Sequence, residues 1–222
     1  MPHPRALHLI WESACEIVRL CGGAQPLQIA TIKHHATTIQ SMTQSPSGPR
    51  RDGITAARAV MLLFPRSEEN SVLHVGFTGS RYGMADTQAE WLDAFLEALR
   101  AGTGTILFRH GDCDGADDRA DKIAASHACI ITIHPPDNLR ARANCHLKRD
   151  GARRVVLPRK PYLERNRDIV DRSKIMIATP KEAEMQQRGG TWSTVRYANK
   201  IDRPTAVIRP DGIAKLLNFP QE

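Results

Sequence analysis

Three stretches of this sequence gather residues able to hold an anion or move a proton. Residues 72–84 read VLHVGFTGSRYGM. Their first half is short, apolar and rich in β-branched residues, as a buried strand requires. Thr78, Gly79, Ser80 and Arg81 follow between Gly76 and Gly83, and an amphipathic segment comes next. A strand that enters a glycine loop ahead of a helix can offer a phosphate its backbone amides, two hydroxyls and a fixed cation. The spacing is neither G-x-G-x-x-G nor a Walker loop, and a tight turn with an exposed arginine accounts for it equally well.

The second stretch is HGDCDGADD, residues 110–118. Four carboxylates in seven residues invite a divalent cation. However, Ala116 stands where a third ligand belongs and no glutamate closes a twelve-residue loop, so no metal is expected. Asp114 suits a helix N-cap, and Asp117 and Asp118 suit the positive end of that helix. Carboxylates repel phosphate, so His110, Asp112, Asp114, Gly115 and Asp117 are assigned to the ribose or base side of a ligand. There His110 is either a hydrogen-bonding group or an acid–base.

The third group comes from two helix starts. Glu164-Arg165-Asn166-Arg167 holds two arginines that cannot share a helix face, because residues two apart diverge. One is expected at the ligand edge and the other toward solvent, Asp168 or Asp171. Gly189-Gly190-Thr191-Trp192-Ser193-Thr194 combines two glycines and three hydroxyls at a helix start, a composition suited to phosphate.

These residues need a scaffold, and the pattern after residue 71 supplies one. Apolar strands are expected in the first half of 72–84 and at 105–108, 128–133, 174–178 and 205–208. Helices are expected at 87–100, 116–127, 162–172 and 191–201. Trp91, Leu92, Phe95, Leu96 and Leu99 form one apolar face. Such alternation predicts an α/β fold: a Rossmann-like, doubly wound parallel sheet of about five strands with helices on both faces. Ligands of such sheets sit beyond the carboxyl ends of the strands, which selects the loops carrying all three groups. Residues 1–70 read as an N-terminal extension, partly helical at 6–20, with a Pro/Gly/Arg-rich linker at 45–53. Residues 71–222 form the domain. His34-His35 reads as surface histidines, since neighbours do not share a helix face.

Composition narrows the function classes. The 222 residues are 41% hydrophobic and 25% charged, as in a globular protein. No apolar run is long enough to cross a bilayer, so no membrane partner is expected. Five cysteines, odd in number and without C-x-x-C, read as reduced thiols of a cytoplasmic protein. A net charge of +7 favours anionic partners.

Four motifs in order, G-x-T-G-S-R (76–81), H-G-D-C-D-G-A-D (110–117), Y-L-E-R-N-R (162–167) and G-G-T-W-S-T (189–194), resemble the SLOG superfamily of Rossmann-like proteins. That superfamily joins the DNA-processing protein A group and the Lonely Guy nucleoside-monophosphate phosphoribohydrolases. The sequence looks closest to its small bacterial and phage branch, over about residues 72–210. The resemblance implies a nucleotide or nucleotide-derived ligand at the glycine loops, held by Thr78, Gly79, Ser80, Arg81, Arg165, Asn166, Gly189, Gly190, Thr191, Ser193 and Thr194, with no further cofactor. Lonely Guy enzymes carry an arginine that Arg165 matches, and a G-G-x-G-T-x-x-E stretch whose glutamate assists N-glycosidic cleavage. Here Arg196 falls at the glutamate position, and a cation neither supports an oxocarbenium-like sugar nor acts as a base. Hydrolysis of that type would need Glu164 or a loop aspartate instead. The DNA-processing protein A group has a similar R-N-R stretch and binds single-stranded DNA. Arg140, Arg142, Lys148, Arg149, Arg153 and Arg154 offer a strand charge, without interleaved aromatics for stacking. Three functions therefore stand: a nucleotide-binding sensor or processing domain, an N-glycosidic hydrolase, and a single-strand nucleic-acid binder. The sequence leaves a homo-oligomer open.

Overall fold

Buried parallel strands alternate with amphipathic helices through the computed structural model, which describes residues 48–63, 72–102, 104–138 and 142–219. The expected helix at 6–20, Cys15, Cys21, His34-His35 and Arg140 lie outside the described residues. Five helices are described: α1 (Pro49–Leu63), α2 (Asp86–Gly102), α3 (Ala116–Ser126), α4 (Tyr162–Asp171) and α5 (Gly190–Lys200). The strands are β1 (Val72–Gly79), β2 (Thr105–His110), β3 (Ile130–Ile133), β4 (Arg154–Val156), β5 (Ile175–Thr179), β6 (Thr205–Ile208) and β7 (Ala214–Leu217). They form one sheet in the order β4-β3-β2-β1-β5-β6-β7, parallel except for β7. The sheet thus has seven described strands rather than five. β4 and β7 are short and half exposed at the two edges, and neither shows the apolar run that marks a central strand. No described helix is long and apolar enough to cross a membrane.

β1 is the hinge of the topology. The chain steps outward from it through β2, β3 and β4, then returns to its other side with β5 and β6. Right-handed crossovers put α2 and α3 on one face and α4 and α5 on the other. Side-chain alternation agrees. Phe77 and Phe108 share the first face, with ring centroids 5.8 Å apart. Met176 packs on the second with Ile169, Val170 and Ala198, and Ala178 with Trp192, Val195 and Val207. Gln88 locks the start of α2 to the far side of the sheet. Its Oε1 accepts from Ala85 N at 2.9 Å, and its Nε2 donates to Pro180 O at 2.9 Å and Ile208 O at 2.7 Å.

The composition-drawn linker and the boundary near residue 70 differ from what is observed. Residues 49–53 form the first turn of α1, and the compact unit runs Gly48–Leu217. α1 buries Ala56, Ala57 and Val60, and at Gly53 a Cβ would run into the backbone of Trp91 and Phe95 on α2. Glycine there is a packing device that lets the two helices meet, not a sign of a loose segment. Helix propensity favours Gly53→Ala by at most about 1 kcal/mol. Overpacking against backbone costs about 1–3 kcal/mol. Gly53→Ala is therefore expected to lower the thermal midpoint by circular dichroism, and a chain beginning at Met61 to melt below one beginning at Gly48.

Candidate functional site

The sheet order reverses between β1 and β5, so the crevice beyond their carboxyl ends is where an open α/β sheet accommodates a ligand. The loop after β1 spends most of its polar groups on itself. Ser80 N donates to Thr179 O at 3.1 Å, Tyr82 N to Ser80 Oγ at 3.1 Å, and Gly83 N and Ala116 N to Ser80 O at 3.1 and 2.9 Å. α2 begins only at Asp86. The expected cradle of outward amides leading straight into a helix is thus not formed by Ser80, Tyr82 and Gly83. Ser80 instead organises the turn, as short hydroxyl side chains do. Gly79 is set by packing, since a Cβ there would meet Ala116 and Thr179. Thr78 is half-buried on the α4–α5 face, and Arg81 is exposed.

The start of α5 is open. Gly189 caps it without a side-chain hydrogen bond at φ 113°, and Ser193 N donates to Gly189 O at 2.9 Å. The amides of Gly190, Thr191 and Trp192 have no partner among the described residues. Thr194 and Asn166 are turned inward and tie the two helices together. Thr194 Oγ1 accepts from Asn166 Nδ2 and donates to Gly190 O, both at 2.9 Å. Ser193 faces an outer groove of about 230 Å³ between α4 and α5, shared with Arg167, Arg196 and Lys200.

The two arginines of α4 diverge as expected. Arg167 lies 5.5 Å over the Tyr197 ring, on the outside. Arg165 is buried, with Nη2 donating to Cys113 Sγ at 3.1 Å and its guanidinium 4.8 Å over the Tyr162 ring. Only a glycine at 111 leaves it space. Its Nε has no partner among the described residues. Burial and the nearby Asp117 push the Cys113 thiol up to about 11, so it is no thiolate nucleophile at neutral pH. Tyr162, absent from the sequence-derived set, sits at the centre. Its hydroxyl abuts Gly190, where a Cβ would strike it, and its ring carries Arg165. At the rim, Arg81 and Lys181 flank the exposed Tyr82 ring at 5.2 and 4.8 Å.

The acidic loop turns its carboxylates inward. Asp117 is buried and accepts from Gly111 N at 3.1 Å and Cys113 N at 3.0 Å, while desolvation raises its pKa. Asp112 is buried and accepts from Arg142 Nε at 2.8 Å, Arg142 Nη2 at 2.6 Å and Cys145 N at 2.9 Å. His110 Nδ1 accepts from Asp112 N at 3.1 Å, so Nε2 carries the hydrogen of the neutral ring and donates to Asp121 Oδ2 at 3.1 Å. Asp121 also accepts from Lys148 Nζ at 2.9 Å and Arg154 Nη2 at 2.6 Å. Hydrogen bonds from these partners hold its carboxyl far below the usual range, against the effect of burial. His110, Asp112 and Asp117 therefore serve the fold rather than facing a ligand. Asp114 is exposed and does not cap α3; Gly115, at φ 86°, takes that position without a side-chain bond. His110, Asp121 and Cys145 have ligand atoms within 4.8 Å of one another, but Lys148 and Arg154 already neutralise the carboxylate, and a metal would sit against both cations. Arg142, Lys148 and Arg154 are likewise committed internally, leaving Arg149 and Arg153 of the basic segment exposed.

No protein-family model and no curated protein matches this sequence. Among solved structures, the chain is similar to DNA processing protein A from Streptococcus pneumoniae, at 19% identity over 61% of this chain and 50% of that one, with a TM-score of 0.47. DNA processing protein A from Helicobacter pylori, described for its single-stranded DNA binding mode, gives 21% identity over 61% and 64%, with a TM-score of 0.45. The Moco carrier protein from Chlamydomonas reinhardtii gives 17% over 61% and 75%, with a TM-score of 0.37. The chain spans half the length of the first and less than two thirds of the second.

Breaking a buried ion pair costs about 3–5 kcal/mol; Lys148 and Arg154 keep Asp118 and Asp150 as second partners, which puts the loss here at the low end of that range. Asp121→Asn is expected to destabilise on that scale in denaturant titration. The sign with pH follows from the depressed folded pKa. The stabilisation is complete above the ordinary value of 3.8 and is lost as pH falls below it. The variant should flatten that acid limb.

Proposed function

We propose that the chain binds a nucleotide or nucleotide-derived ligand in the crevice beyond β1 and β5, as a sensing or processing domain. The observation that carries this is the convergence on Tyr162: its ring meets the buried Arg165 guanidinium and its hydroxyl meets the uncapped start of α5 at Gly190. A phosphate there would accept from Arg165 and from the amides of Gly190, Thr191 and Trp192 at the positive end of α5. Thr78 and Thr191 supply hydroxyls nearby, and Arg81 and Lys181 add charge from the rim. The Tyr82 ring, 73% exposed, offers a face on which a base can stack. Asp114 and Gly115, at the mouth of the neighbouring loop, remain for a ribose.

Binding without turnover is the better account. N-glycosidic cleavage needs a carboxylate at the sugar. Arg196 faces the outer groove and donates to Gln186 O at 2.6 Å, Glu164 lies 3.3 Å from Lys160 Nζ, and Asp117 is committed to two amides. Asp114, the carboxylate left for the ribose, stands exposed, where water is not excluded. For single-strand binding, half of the six cations first assigned to it are engaged with Asp112 and Asp121.

Calorimetric titration with adenosine monophosphate is expected to give saturable, stoichiometric binding with no adenine released. Arg165→Gln should weaken it about tenfold or more, as loss of a charge-assisted hydrogen bond does. Arg167→Gln should leave it unchanged. Equal losses in both variants, or release of free base, would overturn this assignment.

A further inference from the structure

A second set of buried cations lies on the α4 face of the sheet. Arg109 is Cα partner to Gly76 on β1 and Thr132 on β3, so its side chain stands on the face of His74 and α4. It is 8% exposed, and among the described residues no carboxylate pairs with it. Its Nη2 lies 3.4 Å from His74 Nδ1, but that nitrogen is also 3.1 Å from Arg172 O. A carbonyl only accepts, so in the tautomer that makes the shorter contact Nδ1 carries the hydrogen and has no lone pair for Arg109. Arg109 Nε has no partner among the described residues. The charged group closest to it in effect is another cation, Arg172, at the exposed end of α4; burial first, and then Arg172, lower the Arg109 pKa.

His134 completes the set. It follows Thr132 by two residues and so stands on the Arg109 face, 2% exposed, with Nε2 unpartnered. Burial and Arg109 hold it down to about 3, so it is a neutral imidazole. Asp168, the carboxylate that acts on it, is already 2.6 Å from Lys160 Nζ. α4 runs antiparallel to the central strands, so Arg172 lies at the end of the helix opposite Arg165, while His134, just past the carboxyl end of β3, is within the electrostatic reach of both.

A buried guanidinium without a counter-ion is costly, and a second cation beside it adds to the cost. We propose that Arg109, His134 and Arg172 form a second anion site, for a tetrahedral oxyanion of the phosphate class, against β2 and β3 beside the end of α4. Both arginines can only donate, Arg109 through its Nε and Arg172 through its guanidinium, and neutral His134 donates through Nε2 in the tautomer that carries its hydrogen there. An oxyanion accepts from all three, and the carboxylate near His134, Asp168, is held by Lys160.

The test is a titration of the full chain with inorganic phosphate, against sodium chloride at matched ionic strength, followed by calorimetry and thermal midpoint. It is run in the wild type and in Arg165→Gln, so that phosphate in the crevice is told apart. A saturable, phosphate-specific rise in midpoint is expected in both proteins. Arg109→Met should weaken phosphate about tenfold or more. Arg172→Gln, at an exposed position that does not threaten folding, should weaken it measurably, and decides the matter if Arg109→Met does not fold. Three results overturn the site: no response beyond that of chloride, a response that Arg172→Gln leaves unchanged, or an Arg109→Met protein more stable than wild type at saturating phosphate.

Discussion

A carboxylate sealed from water must be met by cations or amides, and three of them within ten residues govern the left half of this sheet. Asp121 on α3 is gripped by His110 from β2, Lys148 from the turn after the 3₁₀ segment Cys145–Leu147, and Arg154 from β4. Asp112 holds Arg142 and the amide of Cys145. Asp117 folds its own loop. The irregular stretch from 142 to 153 has little apolar surface with which to pack, and β4 is a three-residue edge strand. Charge matching positions both. Such pairs set geometry more surely than they add stability, since desolvation consumes much of the attraction. The constraint also explains how a chain of net charge +7 keeps so few free cations in its most basic segment.

The central sheet was legible because fully buried parallel strands need unbroken apolar runs, and IMIAT and TAVI supply them. α2 declared itself through one apolar face. The edge strands did not, because half-exposed strands of three or four residues carry no such run. The start of α1 is hidden in the sequence because Pro49, Arg50, Arg51, Asp52 and Gly53 have loop composition. Only the tertiary contact with Trp91 reveals why glycine belongs there.

Within the candidate site, helical geometry alone foretold that Arg165 and Arg167 diverge. Which one turns inward depends on the space left by Gly111, more than fifty residues away in sequence. Tyr162 escaped notice for a similar reason: its position follows from the missing Cβ of Gly190. The glycine loop after β1 misled because hydroxyls and amides close in sequence can satisfy one another, as Ser80 does for Tyr82. His110 and the aspartates were assigned outward on charge grounds, whereas the distant Arg142, Lys148 and Arg154 give them reason to face in.

Gln88 bears on how fast any ligand can enter and leave. One buried amide joins the start of α2 to the ends of β5 and β6, with both of its donor bonds and its acceptor bond in use. The two sides of the reversal are therefore tied to each other at their ends. For a ligand in the crevice proposed above, the exposed rim side chains Arg81, Tyr82 and Lys181 rearrange on the nanosecond scale of exposed rotamers. For such a preformed cleft, association rates vary little from one ligand to the next, and discrimination between ligands resides in how long each one stays.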